Sequence, residues 1–349
     1  MRFSGRGMIL VGVALAGLAS TVLAAPPAAA GQTVTRSASQ CIEVTATIPL
    51  AKASSGIAVN PKTDTVYVPN GGHQVIVISG QTNKVVSTIS VGRNADSVAV
   101  NPATNTIYVD NSRDGTISVI NGQTKTVVAT IPLARDESQI AVNPATNTIY
   151  VPHLFANTVS VISGRTNTVT ATIAVAQFPQ SVAVDPKTNT IYVTGMAPDE
   201  VTVISGQTNK VVAHIPFPQG SPRALAVNPA TDTVYAVPGS DGTGKSAAVI
   251  NGQTNTVVAN IPIGGDIPDA VAVNPSTNII YAVNQFVSPG PNGSVAVLNG
   301  QTNKRVATIP VGPGPGGVAA DPKTNIAYVA NAPTDGMPSS VSVLGPCPL

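Results

Sequence analysis

Seven prolines, each preceded by Asn or Asp, recur along this chain at positions 61, 102, 144, 186, 229, 275 and 322. Their spacings of 41, 42, 42, 43, 46 and 47 residues are in the range of one four-stranded propeller blade rather than of ankyrin or leucine-rich units. Length alone would suggest two domains, but a repeat that covers the chain predicts one.

Within a unit the pattern is strand-like throughout. Ser97-Val-Ala-Val100, Thr106-Ile-Tyr-Val109, Thr116-Ile-Ser-Val-Ile120 and Thr126-Val-Val-Ala-Thr-Ile131 are short, alternating and rich in β-branched residues. Between them, Asn101-Pro-Ala-Thr-Asn105 and Asn121-Gly-Gln-Thr124 carry the residues of tight hairpin turns. The spacing therefore predicts an all-β, seven-bladed β-propeller with four strands per blade.

Among the positions invariant in all seven units, two bear on packing. The middle of the first strand is always Ala, at 58, 99, 141, 183, 226, 272 and 319, as suits an innermost strand where blades converge. The second strand always carries Tyr, at 67, 108, 150, 192, 235, 281 and 328, and these are all the tyrosines of the chain. A residue repeated in every blade reads as packing.

The seventh unit ends after its third strand, Val341-Ser-Val-Leu344. Ile42-Glu-Val-Thr-Ala-Thr-Ile-Pro49 matches the missing fourth strand, so the N-terminal strand is predicted to complete the last blade. That alignment brings Cys41 and Cys347, the only cysteines, to one hairpin turn, where a disulfide would replace the absent connection. A free-thiol or metal pair is disfavoured, because two cysteines without nearby His do not complete a zinc shell.

The units resemble the YVTN-type β-propeller repeat family over nearly the whole chain after residue 40. Tyr192-Val-Thr-Gly195, Tyr67-Val-Pro-Asn70, Tyr281-Ala-Val-Asn284 and Tyr328-Val-Ala-Asn331 carry the resemblance, although no unit reads Tyr-Val-Thr-Asn to the letter. It implies the propeller fold and an extracytoplasmic or cell-surface setting, and no common reaction.

Residues 1–30 are read as a signal peptide: Arg2 and Arg6 precede an apolar run from Met8 to Ala24, with no acidic residue. Residues 31–40 follow as a short linker and 41–349 as the propeller domain. Export to the cell exterior or surface is expected, with no integral membrane segment after cleavage. Removing residues 1–30 leaves sixteen Lys and Arg against sixteen Asp and Glu, so no basic footprint for nucleic acid remains. A monomer is expected, meeting a protein, cell-wall or small-molecule ligand.

Strand order divides the loops between two faces. First-to-second and third-to-fourth turns, nearly identical in every blade, share the bottom. Second-to-third and fourth-to-first connections, different in every blade, share the top, and binding is expected there. The first residues of the innermost strands, Ser55, Asp96, Ser138, Gln180, Arg223, Asp269 and Gly316, form a polar ring at the channel mouth that is either a ligand site or a solvated rim. Phe155, Phe178, Phe217 and Phe286 also fall in top connections, near Arg135, His153 and Arg223. Together they read as an apolar patch for a partner, against rings packed singly under their own loops.

Other motifs are weaker. Gly239-Ser-Asp-Gly-Thr-Gly-Lys-Ser246 has the Walker A spacing, but that loop needs a helix after it, and here a strand is expected. Asp110, Ser112 and Asp114 space their oxygens like the start of a calcium loop, with Asn121 where the closing Glu would stand; a solvated turn is the preferred reading.

For catalysis the inventory is thin. Of His73, His153 and His214, only His153 is placed as a top-face base, and with no Trp and three His no redox cofactor is supported. The first reading is a non-enzymatic binding module working through its top loops. The alternative is a metal-assisted lyase or hydrolase using Asp96, Asp269 and His153, and a surface-layer structural role is a third.

Overall fold

The computed structural model describes residues 41–53, 55–135, 139–239, 244–264, 267–285, 292–333 and 337–347. The expectations for residues 1–40, Ser138 and Phe286 lie outside the described residues.

The described strands form seven antiparallel sheets of four. Blade two shows the plan, with Ala95–Asn101, Thr106–Asn111, Thr116–Asn121 and Thr126–Pro132 paired in chain order from the axis outward. The first strands of successive blades touch one another around a closed ring, and Pro315–Asp321 of blade seven returns to Ala58–Asn60 of blade one. The protein is a seven-bladed propeller.

Blade seven is made from both ends of the chain. Ile42–Leu50 lies outermost, paired with Ser339–Pro346 from Ile42 opposite Pro346 to Leu50 opposite Ser339. At the tip of that pairing Cys347 N–H donates to the Cys41 carbonyl at 3.1 Å, and a Cys41–Cys347 disulfide joins Cα atoms 5.4 Å apart. A covalent link thus stands where other blades have a turn.

The seven apolar clusters lie between blades. In one of them Tyr108, Ile117 and Ile131 of blade two pack on Ile149, Val151 and Ile162 of blade three. The same division holds at every junction, including Tyr328 and Val343 of blade seven against Val66 and Ile78 of blade one. All seven tyrosines are 2% exposed or less and face the following blade.

Register explains the invariant alanines more fully than crowding at the axis does. Each stands directly opposite its blade's tyrosine, from Ala58 with Tyr67 to Ala319 with Tyr328. Only Ala99, Ala183 and Ala226 are buried, and the other four are half-buried. A methyl group opposite the ring leaves space for the ring to turn toward the next blade. The third-to-fourth turn of that blade accommodates its hydroxyl. A Cβ added to Gly164 would stand 2.7 Å from the Tyr108 hydroxyl and 2.5 Å from Asn147 Oδ1, so the turn requires glycine.

The Asn-Pro turns stitch the bottom face. Asn101 Oδ1 accepts the Ala103 N–H at 2.9 Å within its own turn, while its Nδ2 donates to Asn147 Oδ1 of the next blade at 2.7 Å. Equivalent bonds join Asn60 to Asn105, Asn143 to Asn189, Asn228 to Asn278 and Asn274 to Asn325 at 2.7–3.1 Å. The acceptors need a left-handed backbone, as at Asn147 with φ 54°, which Asn and Asp tolerate best.

Two outcomes follow from this packing. Ala183→Leu, which forces a branched chain opposite Tyr192, should lower unfolding free energy by about 1–3 kcal/mol in denaturant titration. Reducing the Cys41–Cys347 bond, which closes nearly the whole chain, should lower the melting temperature, with about 6 kcal/mol as the chain-entropy ceiling. An unchanged melting temperature under reductant would show that blade seven holds without it.

Candidate functional site

The first-strand ends that receive the fourth-to-first connections surround a cavity of about 390 Å³ on the propeller axis. Ser55, Asp96, Gln180, Arg223, Asp269 and Gly316 all line it, as the sequence ring predicts, and Gln139 stands next to the place of Ser138. Leu154, from a second-to-third connection, adds an apolar wall.

Hydrogen bonds run from blade to blade around this mouth. Ser97 Oγ of blade two accepts the Ile140 N–H of blade three at 3.1 Å. Ser181 Oγ of blade four donates to Gln139 Oε1 of blade three at 2.7 Å and accepts the Leu225 N–H of blade five at 3.1 Å. Arg223 of blade five donates its Nε–H to Asp269 of blade six, whose other oxygen accepts from Gln285 Nε2 at 3.0 Å. Burial pushes the Asp269 carboxyl above the ordinary aspartate range, and Arg223 and Gln285 oppose that shift without cancelling it. A Cβ at Gly316 would fall 2.4 Å from Ser55 Oγ, so glycine there lets blades seven and one meet at the rim.

The chemistry available is polar recognition. Asp269 holds the Arg223 guanidinium, Asp96 adds a second carboxyl to the lining, and the serine and glutamine side chains offer donors and acceptors from fixed walls. Among the described residues, no three His, Cys, Asp or Glu side chains come together as a metal site.

His153 is not part of the cavity lining. Its ring is 5% exposed, with Nε2 2.7 Å from Ser160 Oγ. Asn111 with Ser118 and Asn331 with Ser342 make the same bond in blades two and seven, at 2.9 and 3.0 Å. The expectation of a top-face base is thereby corrected: His153 occupies a structural position of the repeat, which its varied surroundings concealed.

The aromatic residues divide. Phe217 is 2% exposed and packs between blades four and five, so it leaves the expected patch. Phe155 and Phe178 are 74% and 41% exposed. Their loops are joined, since Phe178 N–H donates to Asn157 Oδ1 at 3.0 Å and Phe178 takes a left-handed φ of 53°. Gln177 pairs with Ala197 beside Met196, a third exposed apolar side chain.

Arg135 is exposed over Gly115 in blade two, away from the cavity lining. The calcium-like trio is engaged locally. Asp114 accepts the Arg93 backbone N–H and Nε–H, each at 2.7 Å, and these bonds, helped by the charge of Arg135, hold its carboxyl below the ordinary range. Ser112 accepts from Asn94 Nδ2, and Asp110 is buried. After Lys245 the chain enters strand Ser246–Asn251, where a phosphate loop would need a helix.

No protein-family model matches the chain, and no curated protein matches it. The fold is similar to a solved structure of Kuenenia stuttgartiensis hydrazine synthase, with a TM-score of 0.73, 20% identity, and coverage of 84% of this chain and 95% of that one. At that identity the likeness is one of fold.

The repeat bond of His153 sets an expectation. His153→Ala should cost about 1–3 kcal/mol by leaving Ser160 buried without its partner. His153→Asn, copying blades two and seven, should stay within about 1 kcal/mol of wild type in the same denaturation assay. Equal losses in both variants would contradict the assignment.

Proposed function

We propose that this chain is an exported, non-enzymatic binding module of the YVTN-repeat kind, and that it holds a protein or cell-wall ligand on its top face. The supporting observation is continuity between the polar cavity and the exposed aromatic pair. Phe155 directly follows the wall residue Leu154, and Phe178 lies two residues before the wall residue Gln180. A partner segment can lay an apolar portion over Phe155, Phe178 and Met196 while a polar group enters the axial cavity beside Arg223 and Asp269.

This division of labour matches how interfaces work, with a few large apolar anchors beside a polar pocket that fixes orientation. The disulfide suits an oxidising compartment, in keeping with export. The alternative hydrolytic reading draws on Asp96, Asp269 and His153, and His153 faces Ser160 instead.

A Phe155→Ala/Phe178→Ala variant should keep its stability within about 0.5 kcal/mol, because both rings are exposed. Its affinity for the bound ligand, found by screening cell-wall fragments and co-secreted proteins, should fall at least about tenfold. Full binding by this variant, together with loss of binding when the Asn143–Asn147 turn is altered in folded protein, would move the site to the bottom face.

A further inference from the structure

The bottom-face stitches are not all alike. At five junctions the Asn of Asn-Pro donates its amide to an Asn of the next blade. At the other two both partners are aspartates: Asp185 of blade four meets Asp232 of blade five, and Asp321 of blade seven meets Asp64 of blade one. The change is paired, and no junction combines Asn with Asp.

Geometry shows what the exchange removes. Asp185 Oδ1 still accepts turn N–H groups from Lys187 at 2.7 Å and Thr188 at 3.3 Å, as Asp321 Oδ1 does from Lys323 at 2.7 Å and Thr324 at 3.4 Å. The second oxygen of each occupies the place of the asparagine amide. Asp185 and Asp321 are fully buried, and among the described residues Oδ2 of each has no N–H donor. Asp64 Oδ1 is likewise buried without a donor. Two carboxylates facing each other there would repel, and an unmatched buried acceptor is costly. One acidic proton on Asp232, and one on Asp64, would supply the missing donor.

We propose that the junctions between blades four and five and between blades seven and one are each closed by a proton shared between two aspartates, making closure of the ring depend on pH. These junctions divide the propeller into arcs of four and three blades. One of them borders blade seven, which both ends of the chain build.

The surroundings agree. Burial first, and then the facing Asp185, raises the Asp232 carboxyl above the ordinary aspartate value; Lys187 acts in the opposite sense. Burial and Asp321 raise Asp64 likewise, against Lys323. The tyrosine at each junction, Tyr192 or Tyr328, has its hydroxyl raised by burial and by the same two carboxyls. A group whose pKa is raised on folding contributes stability that is complete below its unfolded value, 3.8 for aspartate, and lost as pH rises through the folded value. The contribution therefore declines from acid toward neutral pH.

The test compares melting temperatures of the full, disulfide-bonded chain between pH 4 and 8 with those of Asp185→Asn/Asp321→Asn. This variant restores the amide donors of the other five junctions. Its melting temperature relative to wild type should rise with pH, by about 1–2 °C across the range for each kcal/mol regained. Asp64→Asn/Asp232→Asn should behave in the same way, so misfolding of one pair of substitutions leaves the other decisive. Infrared spectra at pH 6 should show a protonated carboxylic acid band in wild type that both variants lose. Parallel pH profiles for wild type and variants, or no such band, would overturn the proposal. So would a calcium- or magnesium-dependent rise in wild-type melting temperature missing from the variants, because the pairs would then hold a cation in place of the proton.

Discussion

Each blade of this propeller can bury its apolar faces only against its neighbours, and every other regularity of the chain depends on that. The seven core clusters each take residues from two blades. An isolated blade would expose both faces, and one missing junction would expose two. The ring is cooperative for this reason, and blade seven, where the two ends of the chain meet, must hold as firmly as any other. Ile42–Leu50 supplies that blade's outer strand, and the disulfide removes much of the entropy a frayed end would gain.

The same requirement accounts for the fixed residues. A buried tyrosine reaching across a junction needs a small neighbour behind it, which the alanines provide, and at Tyr108, Tyr235 and Tyr328 a turn glycine of the next blade leaves room for the hydroxyl. The Asn-Pro turns close the gap below with one amide per junction. The bottom face is thus committed to holding blades together. The top connections carry fewer such duties and are free to differ, and the axial cavity and exposed aromatic residues both lie among them.

What could be read from one repeat was legible in the sequence: strand number, ring closure, the cystine and six members of the polar ring. What depends on two repeats at once was harder to see. The aspartate pairs emerge only when the Asp-Pro of one unit is read beside the fifth residue of the next unit's turn, as with Asp185 and Asp232. Arg223 and Asp269 are likewise one blade apart and looked like independent ring members. His153 misled because burial is a property of strand register: it replaces an asparagine that bonds to a serine seven residues on, a pattern visible in Asn111 and Ser118. Phe217 misled because its loop turns into the junction between blades four and five.

The cavity belongs to this ring as much as the stitches do. Its walls come from separate blades, and the bonds that hold them, Gln139 through Ser181 to Leu225 and Arg223 to Asp269, each cross a junction. A ligand gripping several walls would bind the closed ring more tightly than a parted one, and anything that binds only the folded form stabilises it by mass action. Separation of blades four and five would move Ser181 away from Leu225 at the mouth and Asp185 away from Asp232 at the base. Occupancy of the top and protonation of the bottom therefore act on one equilibrium, and each should strengthen the other to the extent that parting of this junction disturbs both ends.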